Sequence, residues 1–183
     1  IAAQPNFVVI FTDDQGYADL SCFGGDHVST PVIDQMAREG MKLTNFYVAA
    51  PVCTPSRAAL MTGCYPKRID MATGSDFIVL LAGDTKGLHP DEITIAEVLR
   101  DAGYRTGIFG KWHLGDNYPY RPQDRGFQTV VAHKGGGVGQ TPDFWGNNYF
   151  DDTYLHNGRP VEHAGYCTDI WFDEAKRFIE ENQ

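Results

Sequence analysis

Glu97-Val98-Leu99-Arg100-Asp101-Ala102-Gly103-Tyr104-Arg105-Thr106-Gly107-Ile108-Phe109-Gly110-Lys111-Trp112-His113 is the stretch that decides the fold class. Ile95, Val98, Leu99 and Ala102 recur at helical spacing, which predicts a helix over about Glu92 to Ala102 with Gly103 as its stop. Tyr104 to Phe109 then reads as a strand, and the loop after it carries Lys111 and His113.

Working outward, the same alternation recurs. Towards the N-terminus, Phe7-Val8-Val9-Ile10-Phe11 is a continuous apolar run, read as a strand buried on both faces, with Asp13 and Asp14 at its carboxyl end. Thr30-Pro31 predicts a helix start, Gly40 its stop, and a second strand falls within Met41 to Val48. Pro55 can open a helix that holds Ala58 to Met61 and closes at Gly63, which leaves Cys53 just before its N-terminus. Residues 64–90 read as irregular, Thr129 to Ala132 as a fourth strand, and 133–166 as long surface loops. Thr168 is the expected cap of a last helix from Asp169 to about Glu181. Alternating strands and helices imply an α/β fold, a largely parallel sheet with helices on both faces. A strand should follow the last helix, yet the chain ends at Gln183, so the expectation is an incomplete C-terminus and a piece of something longer.

Composition narrows the function. With 183 residues, 42% hydrophobic and 21% charged, the chain can build one domain with a core. No apolar run approaches the roughly 18 residues that a membrane span requires. A net charge of -9 argues against nucleic acid as a partner and leaves any anionic substrate to be attracted by a local site. Cys22, Cys53, Cys64 and Cys167 are scattered without a C-x-x-C pair, which disfavours zinc ribbons and thioredoxin chemistry and leaves disulfide pairing open.

Three strand-end loops collect the chemistry: two acids (Asp13, Asp14), a cysteine with an arginine (Cys53, Arg57), and a lysine with a histidine (Lys111, His113). Amides at a helix N-terminus favour negative charge at Cys53, and Arg57 can fold back towards it. Adjacent carboxylates suit a hard cation such as calcium, and the basic groups suit a tetrahedral oxyanion. Each has a plainer reading, as a buried cysteine, a turn, or a solvated helix arginine. Cys22, Cys64 and Cys167 keep the structural reading. His27, His89, His156 and His163 read as surface or structural residues. His133, before three glycines, is an even choice between a substrate contact and a loop residue. Trp145, Tyr149, Phe150 and Tyr154 read as loop packing before sugar stacking.

Cys53-Thr54-Pro55-Ser56-Arg57 with Leu60-Met61-Thr62-Gly63 and Tyr65-Pro66-Lys67-Arg68 resembles the sulfatase signature. Phe11-Thr12-Asp13-Asp14-Gln15-Gly16-Tyr17 and Gly110-Lys111-Trp112-His113-Leu114-Gly115 resemble two further motifs of that family, in the same order. The resemblance implies an alkaline-phosphatase-like fold, with residues 1–183 as the N-terminal part of one sulfatase catalytic domain. It implies that Cys53 is oxidised by a formylglycine-generating enzyme, which reads Pro55 and Arg57, to an aldehyde that hydrates to a diol. One hydroxyl of the diol would attack sulfur and the other would release sulfate. It further implies that Asp13, Asp14 and the oxidised Cys53 hold Ca2+, that Arg57 and Lys111 hold the formylglycine and the sulfate, and that His113 bonds the diol. The substrate would be a carbohydrate or aryl sulfate ester, and the location periplasmic or extracellular in a bacterium.

The later histidine, calcium ligands and lysine of the family have no convincing equivalents here, so the chain alone is expected to be inactive. The alternatives are a phosphate or phosphonate monoester hydrolase of the same superfamily and a non-catalytic calcium- or anion-binding remnant. A thiol phosphatase is excluded, because its arginine lies six residues beyond the cysteine and Pro55 removes an amide its loop needs.

Overall fold

The structure is a computed structural model that describes residues 4–71 and 79–183. It divides into two compact units, Ile1–Tyr47 and Val48–Gln183.

In the first unit, helix α1 spans Pro31–Glu39, with Thr30 before it and Gly40 as the stop, as the sequence predicts. Two short 3-10 turns, Tyr17–Asp19 and Ser21–Phe23, precede it. The Ser21 amide donates to Thr30 Oγ1 (3.0 Å), and the Tyr17 hydroxyl donates to the Phe46 carbonyl (2.9 Å). Neither strand expected here forms among the described residues. Phe7 to Ile10 belong to no strand and are 60–70% exposed. Apolar β-branched residues favour a strand only when a neighbouring ladder receives them, and this unit's described residues contain none. Asp13 and Asp14 sit exposed at a bend, with Asp14 at φ 55°.

Among its described residues the second unit holds three α-helices and the sheet. Helix α2 spans Cys53–Thr62 and closes at Gly63, whose φ of 68° suits a residue without Cβ. It begins two residues before Pro55, so Cys53 is its first residue and not its forerunner. Helix α3 spans Ile95–Asp101, three residues shorter at its start than expected, because Thr94 caps it. Thr94 Oγ1 accepts from the Glu97 amide (3.2 Å), and Glu97 Oε2 accepts from the Thr94 amide (2.8 Å).

Strand β1 spans Gly107–Lys111. It starts later than expected because the Tyr104 amide bonds the Leu99 carbonyl and Thr106 bonds Gly126 and Gln128. Strands β2 (Thr129–His133), β3 (Thr153–His156) and β4 (Arg159–Glu162) complete a sheet of order β1-β2-β3-β4. The β1/β2 pairing is parallel, from Gly107 opposite Thr129 to Lys111 opposite His133, and the other two are antiparallel. The described sheet is thus mixed where alternation predicted a largely parallel one. The β3/β4 hairpin lies inside the stretch expected to be loops. Helix α4 spans Cys167–Glu181 and starts one residue before the expected cap Thr168. Within 64–90 the structure has a 3-10 turn at Pro66–Ile69, while residues 72–78 lie outside the described residues.

Among the described residues, two buried clusters hold this unit. Ala58, Ile69, Met71, Leu88, Trp112 and Leu114 pack under α2 and the loop after β1. Val131, Val138, Tyr154, Cys167 and Ile170 pack between the sheet and α4. Arg125 is buried as a staple, donating to the Leu88 (2.6 Å), His89 (3.0 Å) and Glu92 carbonyls. Such a cation is tolerable inside because nearly every donor is matched. Among the described residues no helix is long and apolar enough to cross a membrane.

Candidate active site

Cys53 stands at the first turn of α2, and the loop after β1 delivers His113 to it. His113 Nδ1 lies 3.1 Å from Cys53 Sγ, and His113 Nε2 lies 2.8 Å from the Leu80 carbonyl. A carbonyl can only accept, so the ring carries its proton on Nε2, and Nδ1 presents a lone pair that accepts from the Cys53 thiol. Burial holds the His113 pKa below its ordinary value; nearby Lys111, Arg57 and His133 push the same way, against the Leu80 bond. The imidazole is therefore neutral at pH 7 and basic at the atom facing residue 53. Its backbone is left-handed (φ 56°), a conformation worth about 1–2 kcal/mol of strain in a residue with a Cβ.

Arg57, one turn along α2, is buried, and its Nη1 donates to the Lys111 carbonyl (2.9 Å). Lys111 ends β1 and faces His133 across the parallel pair. The sequence-predicted Cys53, Arg57, Lys111 and His113 thus meet where the N-terminus of α2 approaches the end of β1. Asp13 and Asp14 belong to the first unit. His133 is buried with its ring 6.0 Å from that of Trp171, and its Nδ1 donates to the Lys134 carbonyl (2.8 Å). Burial lowers its pKa as well. Tyr154 is fully buried against Trp171, whereas Trp145 is fully exposed.

A cavity of about 210 Å³ opens beside Cys53 and His113, and Leu80, Lys86, Asp116 and Gln140 are among its walls. None of these four was read as a site residue from the sequence. Only Asp116, directly after Gly115, carried a local signal. A second unread feature is Thr54, 1% exposed, whose hydroxyl donates to the His113 carbonyl (3.1 Å) and accepts from the Leu80 amide (3.1 Å).

Chemically, the site offers a residue at a helix N-terminus, a neutral base in contact with it, and buried positive charge alongside. That set suits attack on, and charge stabilisation of, a tetrahedral oxyanion ester.

The family model described as Sulfatase matches residues 5–183. Human arylsulfatase A is 47% identical over 134 residues, covering 72% of this chain and 26% of that protein. Among solved structures, Ps i-CgsB superposes with a TM-score of 0.81 at 35% identity, covering 92% of this chain and 40% of that one. A protein solved in complex with its substrate, D-glucosamine-2-N,6-O-disulfate, superposes with a TM-score of 0.78 at 27% identity, covering 99% of this chain and 32% of that one. The chain spans about a quarter of the length of the curated relative and between about a third and two fifths of the solved chains.

Proposed function

The chain belongs to the sulfatase family, with its α/β, alkaline-phosphatase-like fold, and on that premise we propose that it carries the nucleophile end of a site that hydrolyses sulfate monoesters. One observation carries the reading: residue 53, at a helix N-terminus, is held 3.1 Å from His113 Nδ1, while the other ring nitrogen lies 2.8 Å from the Leu80 carbonyl.

In this reading Cys53 is the precursor of formylglycine, made by a dedicated oxidising enzyme. That group supplies, once hydrated, a hydroxyl nucleophile on a carbon that can later release sulfate as the aldehyde reforms. The chain's own residues do the rest. His113 Nδ1 accepts a hydrogen bond from a hydroxyl at residue 53 and takes its proton when the aldehyde is restored. The Arg57 guanidinium and the Lys111 ammonium offset the negative charge of the sulfate oxygens. The buried first turn of α2 holds residue 53 in register with both.

Calcium at Asp13 and Asp14 is part of the proposal, as the family implies. Carboxylates are the donor type calcium prefers, but two of them supply at most four of the roughly six to eight oxygens it takes. The described residues contain no group of three or more His, Cys, Asp or Glu able to hold a metal. The donor type fits and the donor number does not, so no bond change is assigned to the cation.

The neighbour solved with a disulfated glucosamine favours a sulfated carbohydrate as substrate, and the arylsulfatase relative makes aryl sulfates the model substrate of choice. An extracytoplasmic location, periplasmic or extracellular, completes the proposal, with residues 1–183 as the N-terminal part of one catalytic domain.

Two measurements test it on the protein from its own host. The peptide containing residue 53 should be lighter by about 18 Da than cysteine requires. Turnover of 4-nitrophenyl sulfate should exceed that of 4-nitrophenyl phosphate. A clear phosphate preference would overturn the sulfatase reading, and unmodified Cys53 would make the chain a remnant.

A further inference from the structure

We infer that Thr54 is a positioning residue, its one buried hydroxyl clamping the backbones of His113 and Leu80 so that the His113 ring keeps its proton on Nε2 and its lone pair on residue 53. The inference rests on the reading of residue 53 as the nucleophile.

The hydrogen bonds close a ring. Thr54 Oγ1 donates to the His113 carbonyl (3.1 Å) and accepts from the Leu80 amide (3.1 Å). Leu80 in turn accepts at its carbonyl from His113 Nε2 (2.8 Å), and His113 Nδ1 meets Cys53 Sγ (3.1 Å), one residue before Thr54. A hydroxyl has one proton and two lone pairs, so a single side chain satisfies a carbonyl and an amide at once. Among side chains of this size only serine could do the same, and threonine adds a branched Cβ with fewer rotamers. Thr54 is 1% exposed, so no water stands ready to replace it.

The functional consequence runs through the tautomer. Leu80 fixes the Nε2 proton, and Thr54 fixes Leu80. Once Leu80 drifts, Nε2 loses its acceptor and the proton is free to occupy Nδ1. The atom facing residue 53 then becomes a donor where the reaction needs an acceptor. The same hydroxyl braces the His113 backbone in its left-handed conformation. Thr54 touches no reacting atom in this scheme; it acts through His113.

The test compares Thr54→Val, Thr54→Ala and Thr54→Ser with the parent, each as the whole polypeptide matured in its own host, because residues 1–183 alone are expected to be inactive. Each protein is labelled with 15N in its imidazoles, and the content of oxidised residue 53 is measured by mass. The His113 nitrogen shifts should show the Nε2–H tautomer alone in the parent and in Thr54→Ser, and a mixture in Thr54→Val. Per oxidised site, kcat for 4-nitrophenyl sulfate should fall about ten-fold or more in Thr54→Val with KM within about two-fold, and Thr54→Ser should recover most of it. A Thr54→Val protein that keeps one tautomer and the parental kcat overturns the inference, as does a serine variant no better than valine. If valine fails to fold, alanine is read by the same two measures. If both melt, the hydroxyl serves the whole fold and the inference is likewise overturned. Absence of turnover in the parent would strike at the sulfatase reading instead, and the tautomer measurement would still decide the role of Thr54.

Discussion

A histidine that spends its Nε2 proton on a carbonyl has one lone pair left, and in this chain that lone pair is aimed at residue 53. Replacing the ring by a group that cannot accept a proton there is therefore expected to lower kcat. In the protein matured in its own host, His113→Gln should reduce turnover of 4-nitrophenyl sulfate by about 10²–10³-fold, with the melting midpoint changing much less. A second expectation concerns pH and stability. Burial holds the native pKa of His133 below the ordinary histidine value of 6.5. The unfolded chain then binds the proton more readily than the native one. The neutral ring's contribution is fully present above pH 6.5 and is lost as pH falls from there towards the lower native pKa. Melting midpoints should fall over that acid window, and His133→Gln should flatten the slope. At this scale the sequence was legible where chemistry was contiguous: Cys53 and Arg57 share a motif, as do Lys111 and His113. Thr54 and the Leu80 carbonyl were not, because their partners lie 59 and 33 residues away in the chain. No local pattern encodes such contacts.

Strands and helices were legible unevenly, and the β3/β4 hairpin shows why. Asn157-Gly158 between Thr153–His156 and Arg159–Glu162 is the two-residue turn signal for a hairpin. Both residues have positive φ, 49° and 82°, as that turn requires. The surrounding Gly, Asn and Asp residues read as loop and mask that signal, and Pro160 is tolerated in β4, the last strand in the order of the described sheet. Asn157 does more than turn the chain. Its Oδ1 accepts from the Val130 amide (2.8 Å) and its own amide donates to the Val130 carbonyl (2.9 Å), which ties the hairpin to β2. Asn157→Ala loses the side-chain bond and strains the turn, and should destabilise the second unit by about 1–3 kcal/mol in urea unfolding. The Phe7 to Phe11 run erred in the opposite sense. Its pattern is a strand's, but a pattern states only that a segment could pair, and pairing is a property of the neighbour.

For the molecule as a whole, donor supply and surface set the expectations. The two carboxylates proposed to hold calcium, Asp13 and Asp14, supply well short of a full shell. The purified 183-residue chain should accordingly bind calcium weakly, in the millimolar range or above by calorimetry, and give negligible turnover of 4-nitrophenyl sulfate. Robust turnover would show that these residues suffice. The fold class was legible from alternation alone, and the sulfatase resemblance from three ordered motifs. The mixed character of the sheet was not, since strand direction depends on connections that composition does not record.

The burial of the residues around Cys53 carries a consequence about timing. Thr54, Pro55, Ser56 and Arg57 are all buried in the folded chain, each at most 9% exposed. On the proposed maturation, an oxidising enzyme that reads Pro55 and Arg57 would have to meet them before α2 closes over its own core. Maturation and folding would then be in a race, and a chain that folds first would keep its thiol for good. Incubating the oxidising enzyme with the denatured chain should convert residue 53, while the folded chain should stay unconverted, as the mass of the residue-53 peptide will record. Equal conversion of both would mean that this helix opens on its own, and that the window for maturation never shuts.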